Sequence, residues 1–154
     1  MNAADGETYR KHSDDLVRFA TGLVGPSNAA DVVADAVLGC MTSSKWKSVE
    51  KKRSYLYRCV FNEAMSFHRS TSRRLSREER AASTEGTDPS ELRPEVLDAV
   101  KVLSTRQRAV IFLTYWEDLT PSAVAESLGI GEGSVKRHLA RARSHLKEVL
   151  DVTE

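Results

Sequence analysis

Apolar residues recur at three- and four-residue intervals along most of the chain, which is the period of an amphipathic helix. In the first half this pattern predicts three helices, over Tyr9–Val24, from Ala29 to about Trp46, and from Ser54 to Arg69 or further. No window alternates apolar and polar residues with an enrichment in β-branched side chains, so strands are not predicted. The hydrophobic pattern therefore predicts an all-α protein.

Glycine, proline and hydroxyl side chains mark the predicted helix ends. Gly25-Pro26 ends the first helix, and Ser27 or Asn28 is the predicted N-cap of the second. The segment Trp46–Arg53 (WKSVEKKR) is predicted to be a basic loop. The second half is predicted to form four short helices, whose starts are Pro94, Ser104 or Thr105, Thr120-Pro121, and Ser134.

The helical pattern is interrupted at Ser83–Pro94 (STEGTDPSELRP), where small polar residues, a glycine and two prolines cluster. This composition is typical of linkers. We therefore predict two small helical domains, residues 1–80 and 95–154, joined by a flexible linker over residues 81–94. Each part is long enough for a unit of three or four helices.

The charge distribution distinguishes the last predicted helix. The chain as a whole has 23 basic and 22 acidic residues, but Gly133–Lys147 contains five basic residues and no acid. An apolar stripe that begins at Val135 follows one face of this helix, and the basic residues occupy the opposite face. Together with the preceding helix and a turn at Gly129, this pattern predicts a helix-turn-helix whose last helix enters the major groove of DNA.

Other functional classes receive little support. The composition is that of a globular chain, and we find neither a signal-peptide pattern nor an apolar run of membrane-spanning length, so we expect a cytoplasmic protein without membrane insertion. Cys40 and Cys59 belong to no metal-binding motif and are expected to be free thiols. No nucleophile–base pair or phosphate-binding loop is recognisable, so neither an enzyme nor a cofactor is predicted.

Motifs in both halves resemble those of bacterial RNA polymerase sigma factors. The run Leu103–Leu113 (LSTRQRAVIFL) and the helix-turn-helix after it resemble region four. Residues 29–37 (AADVVADAV) and 55–62 (YLYRCVFN) resemble the polymerase-binding and promoter-melting helices of region two. Region three of larger sigma factors is replaced by the linker, as in the extracytoplasmic-function (ECF) group. The resemblance covers most of residues 9–150.

The resemblance implies a protein that binds core RNA polymerase and promoter DNA and directs promoter-specific transcription initiation. In that family, region four binds the minus-thirty-five element as duplex DNA. The positions that match base-reading residues are Lys136, Arg137 and Arg141. The positions that match phosphate contacts are Ser134, Arg143 and Lys147. We refer to these six residues as the duplex face.

Region two of the family binds the minus-ten element as a single strand and flips a base into a pocket beside a loop. Trp46–Arg53 matches that loop, and Tyr55 occupies a position where relatives usually carry Trp. An amide such as that of Asn62 offers both a donor and an acceptor to a base edge. The residues expected to contact this strand, here termed the single-strand face, are Lys51, Lys52, Arg53, Tyr55, Arg58 and Asn62.

The resemblance also implies protein partners. Asp31, Val32 and Asp35 match the part of region two that binds the clamp of the polymerase, and an anti-sigma factor is a common further partner in the family. Two other functions compete with this interpretation. One is a helix-turn-helix transcriptional regulator without sigma activity, although such proteins usually carry an α/β receiver or ligand domain. The other is a protein that only sequesters polymerase.

Overall fold

The computed structural model describes residues 3–79 and 102–152, and within these ranges all regular structure is helical, as predicted. The helices of the first range are α1 (Ala3–Val24), α2 (Pro26–Thr42), a short 3-10 turn (Trp46–Ser48) and α3 (Lys52–Glu79). Those of the second range are α4 (Thr105–Ile111), a π-helical turn (Phe112–Trp116), α5 (Pro121–Leu128) and α6 (Glu132–Val152). None of the described helices is both long and apolar enough to cross a membrane.

The first three helices pack together because each one buries an apolar stripe. Leu16 and Phe19 of α1, Val33 of α2, and Leu56 and Val60 of α3 are all completely buried in their shared core. Removing a side chain of this kind from water contributes roughly 1.5–3 kcal/mol. These stripes are the ones that the helical spacing predicts.

Local capping signals explain the helix starts in the second half. Ser104 and Gln107 form a capping box at α4, in which each side-chain oxygen accepts a hydrogen bond from the other residue's backbone N–H, at 3.1 and 3.0 Å. The hydroxyl of Thr120 accepts a hydrogen bond from the N–H of Ala123 at 3.2 Å, with Pro121 in the first turn of α5. Both predicted starts are confirmed.

Several predicted boundaries in the first half are wrong. α1 begins at Ala3 rather than Tyr9, and the carboxylate of Asp5 on its added turn accepts a hydrogen bond from the indole of Trp46 at 2.8 Å. A tertiary contact of this kind leaves no local pattern. The N-cap of α2 is Gly25, not Ser27 or Asn28, because a φ of 86° suits glycine and places Pro26 at the first helical position.

The remaining boundaries shift by a few residues. α2 ends at Thr42, and Trp46 lies in the 3-10 turn, where its side chain is buried. α3 begins at Lys52, so that Lys52 and Arg53 are helical rather than part of a loop. α6 begins at Glu132, two residues before the predicted Ser134. The predicted linker and the helix expected to start at Pro94 lie outside the described residues.

The described helices of the two halves pack against each other. The ring of Phe19 in α1 contacts Tyr57 of α3 at 5.1 Å between centroids and Phe112 of the π-helical turn at 5.3 Å. α5 packs on α3, and α4 packs on α1. The two halves therefore share buried apolar contacts, whereas the domain boundaries at residues 80 and 95 stay a prediction.

Candidate nucleic-acid interface

The helix-turn-helix is formed by α5, the turn at Gly129 and α6. Gly129 has φ 69° and ψ 33°, the left-handed conformation predicted for it, and its N–H donates to the carbonyl of Ala125 at 2.9 Å. A Cβ at this position would lie 2.9 Å from Nε of Arg58. The left-handed backbone conformation therefore favours glycine here, and a Cβ would also force the side chain of Arg58 to shift.

The two sides of α6 differ in burial, as the apolar stripe and the basic face of the sequence predict. Val135, Leu139 and Ala142 are buried on the side of α6 that packs on α4 and α5. On the opposite side, every basic member of the duplex face is exposed, and Ser134 is half-buried. The apolar stripe therefore fixes the orientation of α6 and leaves its basic side accessible.

Two members of the duplex face make polar contacts within the chain. Lys136 forms an exposed ion pair with Glu132 at 3.5 Å. Nε of Arg143 donates to the hydroxyl of Tyr115 at 2.6 Å, and its guanidinium lies 5.6 Å from the centre of that ring. Exposed pairs of this kind contribute little to stability, so phosphates can replace them.

His138 of α6 lies close to Arg106, a basic residue that the sequence analysis does not single out. Its side chain is half-buried, and its Nδ1 is buried without a hydrogen-bond partner in the described structure. Burial, together with the positive charges of Arg106, Arg141 and Arg137, lowers the pKa of this imidazole. Arg106 belongs to α4, far from α6 in sequence, and only the packing of α4 on α6 brings it to the duplex face.

The single-strand face lies along the start of α3. Tyr55, Arg58 and Asn62 follow one another at three- and four-residue intervals, so they share one side of the helix. Asn62 is exposed, and Tyr55 is half-buried with its ring 6.3 Å from that of Trp46. The structure thus brings an aromatic ring, a guanidinium and an amide into one line.

An open cleft of about 300 Å³ borders this line, beside the loop where the sequence predicts a base pocket. It is lined in part by Val49, Ser54, Tyr55 and Arg58. Lys52, by contrast, turns away into the loop, where its ammonium donates to the carbonyls of Trp46 and Val49. Lys52 therefore stabilises the loop in this arrangement.

The second half covers part of the single-strand face. Arg53 pairs with Glu117, and the ammonium of Lys51 lies 3.0 Å from the carboxylate of Glu126. Nη2 of Arg58 donates to the backbone carbonyl of Glu126 at 2.7 Å. The sequence gives no signal for either glutamate, because both contacts join residues more than sixty positions apart.

The predicted polymerase-binding residues lie on α2. Asp31 and Asp35 are exposed one turn apart, whereas Val32 is buried in the core and supports the helix from behind. Leu38, which is 62% exposed, continues the line of the two aspartates by one further turn. The sequence already contains this signal, because the helical spacing places Leu38 on the side of Asp31 and Asp35 and not on the apolar stripe of α2.

The two cysteines are free, as predicted, and lie together between α2 and α3. A hydrogen bond between the thiols lowers the pKa of Cys59 and, with burial, raises that of Cys40. Among the described residues, no group of three His, Cys, Asp or Glu side chains is placed to hold a metal ion.

Comparisons with known proteins agree with this geometry. The family models of sigma-70 region 2 and sigma-70 region 4 match residues 8–74 and 93–146. An RNA polymerase sigma-E factor of Streptomyces antibioticus is 30% identical, over 96% of this chain and 85% of that protein. Its counterpart in Streptomyces coelicolor is 31% identical, over 94% of this chain and 84% of that protein. The ECF RNA polymerase sigma factor SigL of Mycobacterium tuberculosis is 28% identical, over 92% and 86%.

Two solved structures share the fold. The sigma factor RpoE in complex with the anti-sigma factor NepR from Bartonella quintana superposes with a TM-score of 0.74 at 23% identity, over 97% of this chain and 98% of that one. CnrH in complex with the cytosolic domain of CnrY superposes with a TM-score of 0.66 at 22% identity, over 98% and 90%. With both sigma regions matched in order and relatives at this level of identity, the chain belongs to the ECF group of bacterial RNA polymerase sigma factors.

Proposed function

We propose that this sigma factor binds core RNA polymerase and directs promoter-specific initiation through three surfaces: the duplex face, the single-strand face and the exposed side of α2. The observation that carries the proposal is the side of α6 that bears the five basic residues of Gly133–Lys147, a stretch without an acid, which is exposed while the apolar side of the same helix is buried. A match to region 2 over residues 8–74 gives the first half a sigma function as well, so a regulator without sigma activity is not favoured.

On the duplex face, we assign base reading to Lys136, Arg137 and Arg141, whose side chains are exposed near the start and middle of α6. Arginine contacts guanine through two acceptors in the major groove, which gives sequence discrimination. Phosphate contacts by Ser134, Arg143 and Lys147 hold the helix in register without reading sequence.

On the single-strand face, we assign the flipped base of the minus-ten element to the cleft beside Tyr55 and Arg58. Opening a duplex costs unstacking free energy, which new stacking and hydrogen bonds must offset. Tyr55 supplies an aromatic surface, and Asn62, one turn after Arg58, supplies an exposed amide that can pair with a base edge. Lys51 and Arg53 add positive charge along the path of the backbone, and Lys52 holds the loop beside it in place.

On α2, we assign polymerase binding to the exposed Asp31 and Asp35, with Leu38 as an apolar contact beside them and Val32 as their support. We place the protein in the cytoplasm, where it meets the polymerase. Both structural neighbours were solved with a partner, in one case named as an anti-sigma factor, and we propose a partner of that class for this chain. The family is not one of enzymes, and we assign no catalytic residue and no cofactor.

Run-off transcription with core polymerase and a library of promoter fragments tests the proposal. We expect transcripts with discrete start sites only when the chain is present, and their loss with the double substitution Asp31→Arg and Asp35→Arg. A regulator without sigma activity would bind duplex DNA without supporting transcription by the core enzyme. A protein that sequesters polymerase would bind the core and yield no transcript from any fragment.

A further inference from the structure

The first turn of α1 contacts the loop that precedes α3 and borders the cleft beside Tyr55 and Arg58. The half-buried carboxylate of Asp5 accepts a hydrogen bond from the indole N–H of Trp46 at 2.8 Å, although the two residues are 41 positions apart. Trp46 is the first residue of the 3-10 turn with which this loop begins. The hydrogen bond therefore ties α1 to the loop.

The position of Trp46 depends on this hydrogen bond. Only 3% of the residue is exposed, so its ring is held inside the protein. A buried indole N–H that loses its acceptor cannot regain a hydrogen bond from water unless the ring moves outward. Asp5 therefore favours the inward position of Trp46.

The loop in turn is built around Trp46. The backbone carbonyl of Trp46 accepts hydrogen bonds from the N–H of Val49, at 3.2 Å, and from the ammonium of Lys52. The same ammonium donates to the carbonyl of Val49 at 3.1 Å and lies 4.3 Å from the centre of the Trp46 ring. A shift of Trp46 would therefore move the whole loop.

Two sides of the cleft rest on this arrangement. The loop residues Val49, Glu50 and Lys51 line one side. Tyr55 lines another, and its ring lies 6.3 Å from that of Trp46 between centroids. Trp46 thus packs behind both the loop and the aromatic ring that we assign to base stacking.

We infer that Asp5 is a positioning residue for the cleft: through its hydrogen bond to Trp46 it fixes the loop and the ring of Tyr55, and so it determines which minus-ten base the cleft accepts. The inference rests on the proposed role of the cleft as the site of the flipped base. A fixed cleft discriminates between bases, because a base of the wrong shape cannot be accommodated by a movement of the loop.

The test measures the loop and the base preference separately in the full chain. Hydrogen–deuterium exchange reports the opening of residues 47–51 without DNA, and run-off transcription with core polymerase on promoters that differ at one minus-ten base reports the preference. Asp5→Ala removes the acceptor, so we expect about tenfold faster exchange in the loop and about threefold less discrimination between the best and the worst base. The ranking of minus-thirty-five variants should not change.

Three further variants make the result specific to the hydrogen bond. Asp5→Asn loses the charge but keeps an oxygen acceptor, so it should restore both properties towards wild type. Trp46→Phe loses the N–H and keeps a buried ring, so it should reproduce Asp5→Ala, and the double substitution should be no worse than either single one. Glu7→Ala, which removes an exposed acid of the same helix, is the matched control and should change neither property. Circular dichroism checks that each variant retains its helical content.

The outcomes separate the inference from the proposed function. Faster loop exchange with weaker base discrimination, both restored by Asp5→Asn, supports the inference. Faster exchange with unchanged discrimination overturns it, whereas the proposed function stands because promoter-specific transcripts are still made. Unchanged exchange in Asp5→Ala, a failure of Asp5→Asn to restore the loop, or equal changes in Glu7→Ala also overturns it, since the hydrogen bond then does not hold the loop. The absence of transcripts with the wild-type chain overturns the proposed function and the inference together.

Discussion

The two predicted DNA-binding faces have similar residues and very different surroundings. The duplex face projects from α6 into solvent, and its contacts within the chain are the exposed Lys136–Glu132 pair and the Arg143–Tyr115 contact. The single-strand face has Arg53 paired to a buried glutamate and Arg58 bonded to the backbone carbonyl of Glu126, close to Gly129. The difference shows that the number of basic residues says little about readiness to bind, because readiness depends on what already neutralises them.

The largest expected effect is at an exposed residue that we propose reads a base. Arg141→Ala should weaken binding to a duplex minus-thirty-five element by ~1–3 kcal/mol and relax the preference at one base pair, because no contact within the described chain compensates for the lost guanidinium. Binding to single-stranded DNA should not change. Electrophoretic mobility shifts on a set of single-base variants of the upstream element measure both effects.

The matched control for this substitution is Arg18→Ala, an exposed arginine of α1 outside both faces. It removes the same charge but should leave duplex affinity within about twofold. Equal losses for the two variants would mean that Arg141 acts through net charge alone, and the distinction between a reading face and a basic surface would fail.

A smaller effect is expected at Asn62, the exposed end of the single-strand face. Asn62→Ala should leave closed-complex formation nearly normal and slow promoter opening by an amount equivalent to about 1 kcal/mol, one hydrogen bond to a flipped base. Permanganate footprinting of the opened strand, on intact and pre-melted promoters, measures this step. On the pre-melted template the opening defect should shrink, while the preference for one minus-ten base should remain altered.

One outcome would remove Asn62 from the proposed base contact. If Asn62→Ala matches wild type on both templates and ranks all minus-ten base substitutions in the same order, Asn62 does not contact a base. The cleft beside Tyr55 and Arg58 would then have to take its base without the amide.

Folding stability and the affinity of the duplex face for DNA should both depend modestly on pH, because His138 lies in α6. The lowered pKa of His138 means that the unfolded chain takes up a proton before the folded chain does, so folding stability should decrease as the pH falls below about 6.5. Bound phosphates favour the charged imidazole, and duplex affinity should therefore rise over the same range. His138→Gln should flatten both trends, in urea titrations and in binding measured between neutral and mildly acidic pH.

His145→Gln serves as the control for this experiment, because His145 is an exposed residue of the same helix. It should leave both pH trends in place. A flattening of equal size in the two variants would assign the pH dependence to the general charge of α6 and not to the half-buried site beside Arg106.

The smallest expected effect concerns the thiols behind the single-strand face. The hydrogen bond between them lowers the pKa of Cys59 and raises that of Cys40, so Cys59 should react with iodoacetamide first. Peptide mass spectrometry after brief alkylation measures the order. Cys40→Ala removes the hydrogen bond and should slow the reaction of Cys59; an unchanged rate would show that exposure alone sets its reactivity.

The sequence by itself determined the helices and the function of the chain. Helix stripes, the cap at Ser104, the Thr120-Pro121 start and the left-handed Gly129 all depend on interactions within a few residues, which a sequence displays directly. The basic side of α6 follows from the same periodicity. Motif order along the chain then indicated a sigma factor, a conclusion that the matches to regions 2 and 4 confirm.

Only the tertiary structure decided which of these residues are accessible. Val32 and Lys52 turn inward, Arg106 joins the duplex face from another helix, and Glu117 reaches Arg53 across 64 positions. Such pairings depend on the packing of helices that are remote in sequence, and neither periodicity nor local charge encodes them. The physical reason is that a charged side chain in the interior needs a partner, and the fold supplies whichever partner lies within reach.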